Sequence, residues 1–508
     1  MSRLRSTYLT RLLKSDKMIA DNAENHYDVI IVGAGISGIN FAYRLQTQNP
    51  EVNFTILEGR DAIGGTWDLF KYPGIRSDSD LYTFGFPWRP WTEEKAIAEG
   101  PLIINYIRES ASMYGIDKEV QFRHKVNSAN WSSAEQAWSL SVNADGTPKT
   151  FQCRFMLMCT GYYDYDQPLP TVIPGIENFA GKVVHPQFWP EDLDYTDKSV
   201  VVIGSGATAI TLVPALAEKV SHVTMLQRSP SYILSQPATD GLEILIRAIF
   251  PASWTHKLIR IKWLVVPYLF ISFCYYFPNL AKRMLRKATM DQLPPSIAHD
   301  PHFKPSYNPF QQRMCFCPDG DFYASLRSGK ASVVTGVVEN VTEKSIKLTD
   351  GQELHPDIIV TATGLKIWLA GGAKLTVDGQ PFNINEKFLW KTVMMQDLPN
   401  AAFVVGYVDA SWTLGADATA QLICRLLKQM EKEGAGVAIP RLEKGEEGKM
   451  KEMPVLRLQS TYVKRAKGAL PKAGDGAQWR ARSTYFRDMW EAKFGDLKTG
   501  MQYISVKE

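Results

Sequence analysis

Two glycine-rich stretches with the same pattern constrain the fold of this chain more than any other feature. Residues 27–45 read YDVIIVGAGISGINFAYRL, and residues 199–213 read SVVVIGSGATAITLV. Each is an apolar strand that breaks at a glycine turn and continues as a helix, whose N-terminal N–H groups can hold a pyrophosphate. The turn positions are Gly33, Gly35 and Gly38 in the first stretch and Gly204, Gly206 and Ala209 in the second. We therefore predict an α/β fold with two Rossmann-like dinucleotide-binding domains.

The strand that follows each glycine turn distinguishes the two nucleotides. In the first unit this strand leads into Glu58, and a carboxylate at that place accepts hydrogen bonds from ribose hydroxyls. In the second unit it leads into Arg228 and Ser229, and a guanidinium there binds a 2′-phosphate in bidentate fashion. The first site is therefore predicted to bind FAD and the second NADPH. The alternative is an NADH site in which Arg228 is a solvated surface residue.

Two further strands that break at a glycine indicate the domain organisation. RFMLMCTGYY, residues 154–163, breaks at Gly161, and DIIVTATGLK, residues 357–366, breaks at Gly364. Such breaks suit a chain that crosses from one domain to another. The NADP-binding domain is then inserted in the FAD-binding domain. The predicted limits are a basic, disordered arm at 1–26, the first part of the FAD-binding domain at 27–161, the NADP-binding domain at 162–364 with a helical insertion at about 237–308, and the second part of the FAD-binding domain with a C-terminal tail at 365–508.

Charge and cysteine content exclude several classes of protein. Residues 1–17 carry five basic residues and one acidic residue, which accounts for the net charge of +4, so the rest of the chain is neutral overall and does not fit nucleic-acid binding. Six cysteines without paired spacing favour a reducing compartment, by default the cytosol. Cys315 and Cys317 lack the further ligands of a metal site, so none is predicted.

Flavoproteins with two dinucleotide sites divide mainly into disulfide reductases and monooxygenases. A reductase needs a pair of redox thiols beside the flavin, and Cys153 and Cys159 are the near candidates. Six residues along a strand span about 20 Å, which is far beyond disulfide reach. The sequence therefore favours a monooxygenase.

Two motifs carry a resemblance to a known family. Residues 179–190, FAGKVVHPQFWP, match the F-x-G-x-x-x-H-x-x-x-W-P fingerprint of type I Baeyer-Villiger monooxygenases, and residues 64–78, GGTWDLFKYPGIRSD, match their G-G-x-W, Y-P-G and aspartate pattern. The fingerprint positions are Phe179, Gly181, His185, Trp189 and Pro190. The resemblance extends from Tyr27 to about Met430 and is closest to the ethionamide-activating monooxygenase group. Relatives that oxidise amines and sulfides usually have a different aromatic residue in place of Trp189.

The resemblance implies a set of site residues. Arg313, in YNPFQQRMCFCPDGDFY, falls where the family has its catalytic arginine, and Asp78 would pair with it and set its position. Gln312 stands where relatives commonly have a lysine, so selectivity for NADPH would depend more on Arg228. Beside the glycines of the first turn, the implied FAD contacts are Ser37, Glu58, Thr66, Trp67, Asp68, Leu69, Asp78 and Val126. The implied NADP contacts are Arg76, Ser77, Asp78, Ser205, Gly206, Ala207, Thr208, Ala209, Ile210, Thr211, Arg228 and Ser229.

The resemblance also implies the reaction. NADPH would reduce the flavin, oxygen would add to form a C4a-peroxyflavin anion, and attack on a ketone carbonyl would give an ester or a lactone. The guanidinium of Arg313 can stabilise that anion because it does not lose its own proton. The implied partners are O2 and an apolar ketone or a sulfur-containing small molecule such as a thioether or thiocarbonyl. The enzyme alternative is a flavin-containing N/S-monooxygenase without Baeyer-Villiger activity, which Trp189 and Arg313 disfavour. His185 is expected to be structural or linking.

Residues 244–290 form an apolar stretch with basic flanks. They include eight basic residues and no acidic one, and residues 263–281 carry no charge. Pro267 and Pro278 interrupt the uncharged run, which argues against a membrane span. Two interpretations stay open, a helical subdomain that forms a wall of the substrate pocket and peripheral membrane association through 244–290. The expected location is cytoplasmic, with membrane association depending on this stretch.

Overall fold

The structure is a computed structural model that describes residues 25–507 except 444, 446, 447, 457, 467 and 477. The arm predicted at residues 1–26 lies, up to residue 24, outside the described residues. The first segment forms a strand–helix–strand unit followed by an antiparallel meander. Its elements are β1 (His26–Val32), α1 (Ile36–Gln48), β2 (Phe54–Leu57), α2 (Thr66–Leu69), α3 (Leu81–Phe84), α4 (Gly100–Met113), β3 (Val120–Gln121), β4 (His124–Ser132), β5 (Ala137–Ala144) and β6 (Thr147–Met158). The apolar second half of β1 and all of β2 are buried, as expected for central parallel strands.

The second segment contains the second glycine-rich unit and the helical insertion. Its elements are β7 (Lys182–Val184), β8 (Ser199–Ile203), α5 (Ala207–Ala217), β9 (His222–Gln227), β10 (Ile233–Gln236), α6 (Gly241–Ile249), α7 (Ala252–Tyr276), α8 (Pro278–Met290), β11 (Cys315–Pro318), α9 (Asp321–Arg327), β12 (Ala331–Thr335), β13 (Val338–Val341), β14 (Ile346–Leu348), β15 (Glu353–Leu354) and β16 (Ile358–Thr361). We call α6, α7 and α8 the insertion helices. The second dinucleotide-binding unit thus follows the first along the chain, as the sequence predicted.

The third segment returns to the first sheet and ends the described chain. Its elements are β17 (Lys374–Val377), β18 (Gln380–Pro381), β19 (Leu389–Trp390), β20 (Met394–Met395), β21 (Ala401–Phe403), α10 (Trp412–Glu433), β22 (Ala435–Pro440), β23 (Glu452–Pro454), α11 (Thr461–Arg465), β24 (Lys472–Gly474), α12 (Tyr485–Phe494) and β25 (Met501–Ser505). Strand β21 pairs in parallel with β6, and β17 pairs in parallel with β4. Through these pairings the third segment completes the sheet of the first domain, so the second domain is inserted between the two parts of the first.

The two main sheets share one strand order. Parallel strands run β3-β2-β1-β6-β21 in the first sheet and β12-β9-β8-β16-β7 in the second. The strand before each glycine turn, β1 or β8, is therefore central, as dinucleotide-binding units require. The predicted fold class, two Rossmann-like domains with one inserted in the other, is confirmed. The domain limits stay a prediction, supported by the chain leaving the first sheet at Met158 and re-entering it at Lys374.

The insertion helices leave the second domain and pack against the first. Arg260, on α7, donates from Nη1 to the carbonyl oxygen of Tyr82 at 2.5 Å. Lys262 lies 2.9 Å from the buried carboxylate of Glu243, and Nε1 of Trp263 donates to the same carboxylate at 2.5 Å. The contact of Arg260 holds α7 on the first domain, and those of Lys262 and Trp263 join α7 to Glu243 of α6, so α7 lies along the surface of the protein.

Candidate active site

The first glycine turn joins β1 to α1 and is shaped by backbone crowding. Gly33 has a φ of +104°, and a Cβ on it would lie 2.8 Å from the carbonyl oxygen of Cys159. A Cβ on Gly38 would collide with the carbonyl oxygen of Gly33. Glycine is therefore required at both places for β1, α1 and the end of β6 to approach one another. At Gly35 a Cβ would occupy the gap between this turn and Gly65, 3.6 Å from its Cα.

Glu58 directly follows β2 and faces the same turn. Its Oε2 accepts a hydrogen bond from the backbone N–H of Ala34 at 2.6 Å, and its Oε1 accepts one from the N–H of Arg60 at 2.9 Å. Burial raises the pKa of Glu58, and the two N–H groups partly offset this effect. Each carboxylate oxygen retains a lone pair that a ribose hydroxyl can use. The turn and the carboxylate together fit the dinucleotide FAD.

Two predicted FAD contacts with hydroxyl groups lie close to aromatic side chains. The Oγ of Ser37, in the first turn of α1, accepts a hydrogen bond from Nε1 of Trp412 at 3.0 Å. The Oγ1 of Thr66, at the start of α2, lies 3.0 Å from the hydroxyl of Tyr165. Trp412 and Tyr165, which come from distant parts of the chain, therefore lie next to residues close to the first glycine turn.

Two predicted FAD contacts, Asp68 and Val126, are buried among other residues of the first domain. Asp68 is buried and accepts hydrogen bonds from Arg60 at 2.7 Å and from Arg108 at 3.0 Å. Val126 is buried in the core of the first domain, next to a register shift between β4 and β5. The other predicted residues of α2 are half-buried, and they are Trp67 and Leu69.

The second glycine turn joins β8 to α5 and leaves room for a ligand. Gly204 has a φ of +144°, and a Cβ on it would collide with the carbonyl oxygen of Ala362. Gly206 differs, because no heavy atom of the described residues lies within 4 Å of a Cβ built there. Packing therefore does not explain a glycine at this helix N-terminus, whereas close approach of a pyrophosphate does. Ala209 is fully buried, which fits its place as the third turn residue.

Arg228 and Ser229 follow β9 beside this turn. The Oγ of Ser205 donates a hydrogen bond to the carbonyl oxygen of Ser229 at 2.9 Å, which ties the two loops together. The side chain of Arg228 is exposed, and no hydrogen bond or ion pair joins it to another residue in the described part of the chain. Its guanidinium is therefore available for a phosphate.

Residues 72–78 of the first domain lie against the first turns of α5 and α9. The hydroxyl of Tyr72 lies close to Thr208, a predicted NADP contact. Arg76, another predicted NADP contact, makes a bidentate ion pair with Asp321 at the start of α9. Ser77 is buried, and its Oγ donates to a backbone carbonyl at 2.6 Å. The remaining predicted residues lie in the first two turns of α5 and are Ala207, Ile210 and Thr211.

Arg313 and Asp78 form an ion pair where the two domains meet. Nη2 of Arg313 lies 2.7 Å from Oδ2 of Asp78, and about a third of each side chain is exposed, 36% and 31%. The Asp78 carboxylate raises the pKa of Arg313 above its ordinary value, so the guanidinium stays protonated. Three tyrosines, Tyr162, Tyr163 and Tyr462, lie near the guanidinium.

An apolar pocket lies beside this pair. Among the described residues that line it, Arg313 has the one charged side chain. Tyr162 stacks on Trp412 at a ring distance of 4.7 Å, and Trp412 in turn donates a hydrogen bond to Ser37 of α1. The aliphatic lining residues are Leu369, Val405, Val408, Val455, Leu456, Leu458 and Leu470. The pocket therefore combines an apolar wall with one fixed positive charge.

Comparison with known proteins decides the family. A family model of flavin-binding monooxygenase-like proteins matches residues 95–435, well over half of the chain. The chain belongs to the flavin-binding monooxygenase-like family. A model of NAD(P)-binding Rossmann-like domains matches residues 31–93, which include the first glycine turn.

Curated relatives of this flavin monooxygenase match nearly its whole length. FAD-containing monooxygenase EthA of Mycobacterium tuberculosis (strain ATCC 25618 / H37Rv) is 45% identical over 465 residues, which cover 91% of this chain and 94% of that protein. EthA of Mycolicibacterium smegmatis is 46% identical over 466 residues, with the same coverage. Probable FAD-binding monooxygenase AlmA of Acinetobacter baylyi is 44% identical over 487 residues, 95% of this chain and 97% of that protein.

Solved structures share the fold of this flavin monooxygenase at low sequence identity. Cyclohexanone monooxygenase in an open form has a TM-score of 0.73 at 18% identity and covers 95% of this chain and 100% of that one. Steroid monooxygenase bound to NADP has a TM-score of 0.72 at 20% identity, with the same coverage. The complex of OTEMO with FAD and NADP has a TM-score of 0.71 at 17% identity, over 94% and 99% of the two chains. The predicted family resemblance is confirmed, as are FAD and NADP as the cofactors of this family.

The fingerprint residues 179–190 lie in the second domain near its hinge. A Cβ on Gly181 would collide with the carbonyl oxygen of Asp357, so this segment passes closely over the entry to β16. Trp189 is buried in the core of the second domain. His185 lies beside the backbone of Gly364, the hinge glycine, and burial lowers the pKa of His185. These contacts support a linking role for His185.

Sequence reasoning missed four aromatic residues of the site. Tyr162 and Tyr163 directly follow the hinge glycine at the end of β6, and their position at the carboxyl end of a parallel strand was a usable signal. Trp412 lies within ASWTLGAD, a stretch covered by the family resemblance, but no pattern indicated its contact with Ser37. Tyr462 lies beyond the region of resemblance, and no local signal pointed to it.

Proposed function

We propose that this flavin monooxygenase is an NADPH- and O2-dependent Baeyer-Villiger monooxygenase. It inserts one oxygen atom next to a ketone carbonyl to give an ester or a lactone, and it also oxidises sulfur in thioethers or thiocarbonyls. The observation that carries this proposal is the Arg313–Asp78 ion pair at the edge of an apolar pocket. An N/S-monooxygenase has no evident need for a fixed guanidinium at this place.

The proposal assigns FAD to the first glycine turn and NADPH to the second. Bound FAD, reduced by NADPH, supplies the chemistry that activates dioxygen. Glu58 would hold a ribose of FAD, and Gly33 and Gly35 would let the backbone approach its pyrophosphate. Gly206 would make room for the pyrophosphate of NADPH, and Arg228 would bind its 2′-phosphate.

Arg313 would stabilise the negative charge that develops during oxygen transfer. Its raised pKa keeps it from giving a proton to a nearby basic oxygen, so it offers charge without acid. Asp78 holds one edge of the guanidinium through the ion pair, and the hydroxyl of Tyr462 lies near it. The group is therefore oriented before the reaction, which lowers the cost of reorganisation.

The pocket residues favour an apolar substrate. Its wall is aliphatic on the side formed by Leu456, Leu458 and Leu470, and it is aromatic at Trp412 and Tyr162. The backbone N–H of Gln459 donates to the carbonyl oxygen of Gln311 at 2.9 Å, so the segment that carries these leucines is fixed next to Arg313. A ketone would place its carbonyl near the guanidinium and its hydrocarbon chain against the wall.

The test uses purified protein with NADPH, O2 and 2-octanone, and the product is identified by mass spectrometry. The parent protein should form an ester, and Arg313→Ala should bind flavin and consume NADPH while ester formation falls roughly a hundredfold or more. Arg480→Ala is the matched control, because Arg480 is exposed and, within the described part of the chain, its side chain donates only to the backbone of Asp475. Ester formation by Arg313→Ala at the parent rate would refute the role of Arg313, and no ester from the parent would refute the reaction.

The proposed location is the cytoplasm, with peripheral membrane association through residues 244–290. The cysteines are free and buried, which suits a reducing compartment. Within the described residues, α7 is the one helix long and apolar enough to cross a membrane. Arg260 holds α7 on the first domain, and Lys262 and Trp263 join it to α6, which favours a helix that lies on a membrane surface.

A further inference from the structure

Helix α12 presents an exposed aromatic stripe that lies far from residues 244–290 in sequence. Phe486, Trp490 and Phe494 are 46%, 58% and 69% exposed. They are four residues apart, so they lie along one face of the helix. Three large exposed aromatics on one short helix are unusual on a soluble surface and indicate an interaction site.

This stripe adjoins the exposed surface of the insertion helices. The ring of Phe486 meets the ring of Tyr268, on α7, edge to face at 5.8 Å. Beyond that contact the insertion helices expose many large apolar side chains. Six that are each more than half exposed are Leu245, Ile249, Trp254, Leu269, Tyr275 and Met284. We call the insertion helices and α12 together the docking face.

The charges of the docking face are arranged with the basic residues outward. The acidic residues of α12 turn toward the protein, since Asp488 accepts a hydrogen bond from Tyr407 at 2.7 Å and Glu491 lies 2.8 Å from Lys391. The exposed basic residues are Lys257, Arg283, Arg286, Lys287, Arg487 and Lys493. A second copy on this face would bring like charges together, whereas an anionic bilayer would attract them.

The docking face is connected to the walls of the substrate pocket. On α7, Phe270 contacts Phe310 edge to face at 5.9 Å, and Phe310 lies three residues before Arg313. On α12, the partner of Asp488 is Tyr407, which lines the pocket. Helix α12 therefore reaches the pocket through Tyr407, and α7 reaches the segment that carries Arg313 through Phe310.

We infer that the docking face binds an anionic lipid bilayer and that the pocket takes from it a long-chain ketone dissolved in the membrane. This inference rests on the proposed function for the reaction, but bilayer binding can be measured without it. It extends the membrane contact beyond residues 244–290 to α12, and it names the substrate class as ketones too apolar to be present in water at useful concentrations.

The experiment compares the parent protein with a Trp490→Ser, Phe494→Ser double variant. Co-sedimentation is measured with vesicles of phosphatidylcholine and phosphatidylglycerol at low and high salt, and after alkaline carbonate. Turnover is measured with 2-octanone in water and with 2-hexadecanone in the vesicles. Phe122→Ser is the matched control, because Phe122 is a partly exposed aromatic residue outside the docking face. A second variant, Arg487→Glu with Lys493→Glu, reverses charge and leaves the aromatic stripe intact.

The parent should bind the vesicles, high salt should weaken binding without abolishing it, and carbonate should release the protein. The aromatic double variant should lose vesicle binding and 2-hexadecanone turnover by on the order of tenfold, with 2-octanone turnover unchanged. The charge-reversed variant should lose the salt-sensitive part of binding. The Phe122→Ser control should behave as the parent does.

Several outcomes would overturn the inference. Absence of vesicle binding at low salt would do so, and so would resistance to carbonate, which indicates a membrane span. A dimer in sedimentation velocity that the aromatic variant dissociates would assign the face to a second copy. If the protein bound vesicles but the parent and the aromatic double variant turned over 2-hexadecanone equally fast, the proposed substrate class would be wrong. Absence of ester from 2-octanone would instead count against the proposed reaction and leave bilayer binding to stand.

Discussion

Replacing Gly206 by alanine should weaken NADPH binding and leave the stability of the fold almost unchanged. Gly206 precedes α5 with φ −86° and ψ −176°, a backbone conformation that alanine adopts without strain. No heavy atom of the described residues lies within 4 Å of a Cβ at this position. The protein itself therefore has no steric reason to exclude alanine, and a bound phosphate is the remaining reason.

The magnitudes follow from this geometry. Replacing glycine by alanine stabilises through the unfolded chain by about 0.4 to 1 kcal/mol, and the poorer N-cap at a helix start costs a similar amount. The midpoint of thermal unfolding should therefore move by no more than about 2 °C. Loss of one charge-assisted phosphate contact, about 1.5 to 3 kcal/mol, should weaken NADPH binding ten- to a hundredfold.

The assay is anaerobic flavin reduction by NADPH in stopped flow, from which the dissociation constant is obtained, together with thermal unfolding by circular dichroism. Gly204→Ala in the same turn is the contrasting variant. Its φ of +144° and its collision with the carbonyl of Ala362 should lower the unfolding midpoint by several degrees. If Gly206→Ala bound NADPH as tightly as the parent, the assignment of this turn to the pyrophosphate would be wrong.

Three further changes test other parts of the site. Arg228→Ala should raise the KM for NADPH roughly ten- to a hundredfold, while the KM for NADH barely changes. An equal rise in both KM values would show that Arg228 does not bind the 2′-phosphate. Asp78→Asn should keep flavin reduction but lower ester formation about tenfold, because Arg313 loses its charged partner, and an unchanged rate would contradict that role. Burial raises the pKa of Asp80 from 3.8 to about 6, against the hydrogen bonds from Thr83, so its protonated form is favoured in the folded protein. The contribution of Asp80 to stability is thus greatest below pH 3.8 and falls by about 3 kcal/mol as pH rises to about 6, and Asp80→Asn should flatten this part of the denaturant-measured pH profile.

The parts of the fold that the sequence predicted are those encoded by short, contiguous patterns. The conformations of Gly33 and Gly204 follow from a strand, a turn and a helix within about fifteen residues, so the signal is local. Glu58 and Arg228 could be placed because the next parallel strand brings its carboxyl end to the same edge of the sheet. The family resemblance added the pairing of Arg313 with Asp78, which no spacing could have supplied.

The features of the site that the sequence did not predict depend on contacts between segments that are distant along the chain. Ser37 and Trp412 are 375 positions apart, and nothing in either local pattern specifies the other. Tyr462 reaches Arg313 from a segment that carries no motif. The aromatic stripe of α12 illustrates a different limit, because helical periodicity shows that one face is apolar but not whether another part of the chain covers it.

Residues 72–78 explain why a motif taken as nucleotide-binding also fixes the geometry of the arginine site. Every second residue of this segment meets the second domain: Tyr72 at Thr208, Gly74 against Thr211, Arg76 at Asp321 and Asp78 at Arg313. The segment makes these four contacts through a turn, in which Gly74 has a φ of +73° and the N–H of Ile75 donates to the carbonyl oxygen of Tyr72 at 3.3 Å. A rotation of the second domain must therefore alter the Arg76 and Asp78 ion pairs together. Because α5 carries both the turn at Gly206 and the contacts to Thr208 and Thr211, displacement of the nucleotide turn would be transmitted to Arg313 through this one segment.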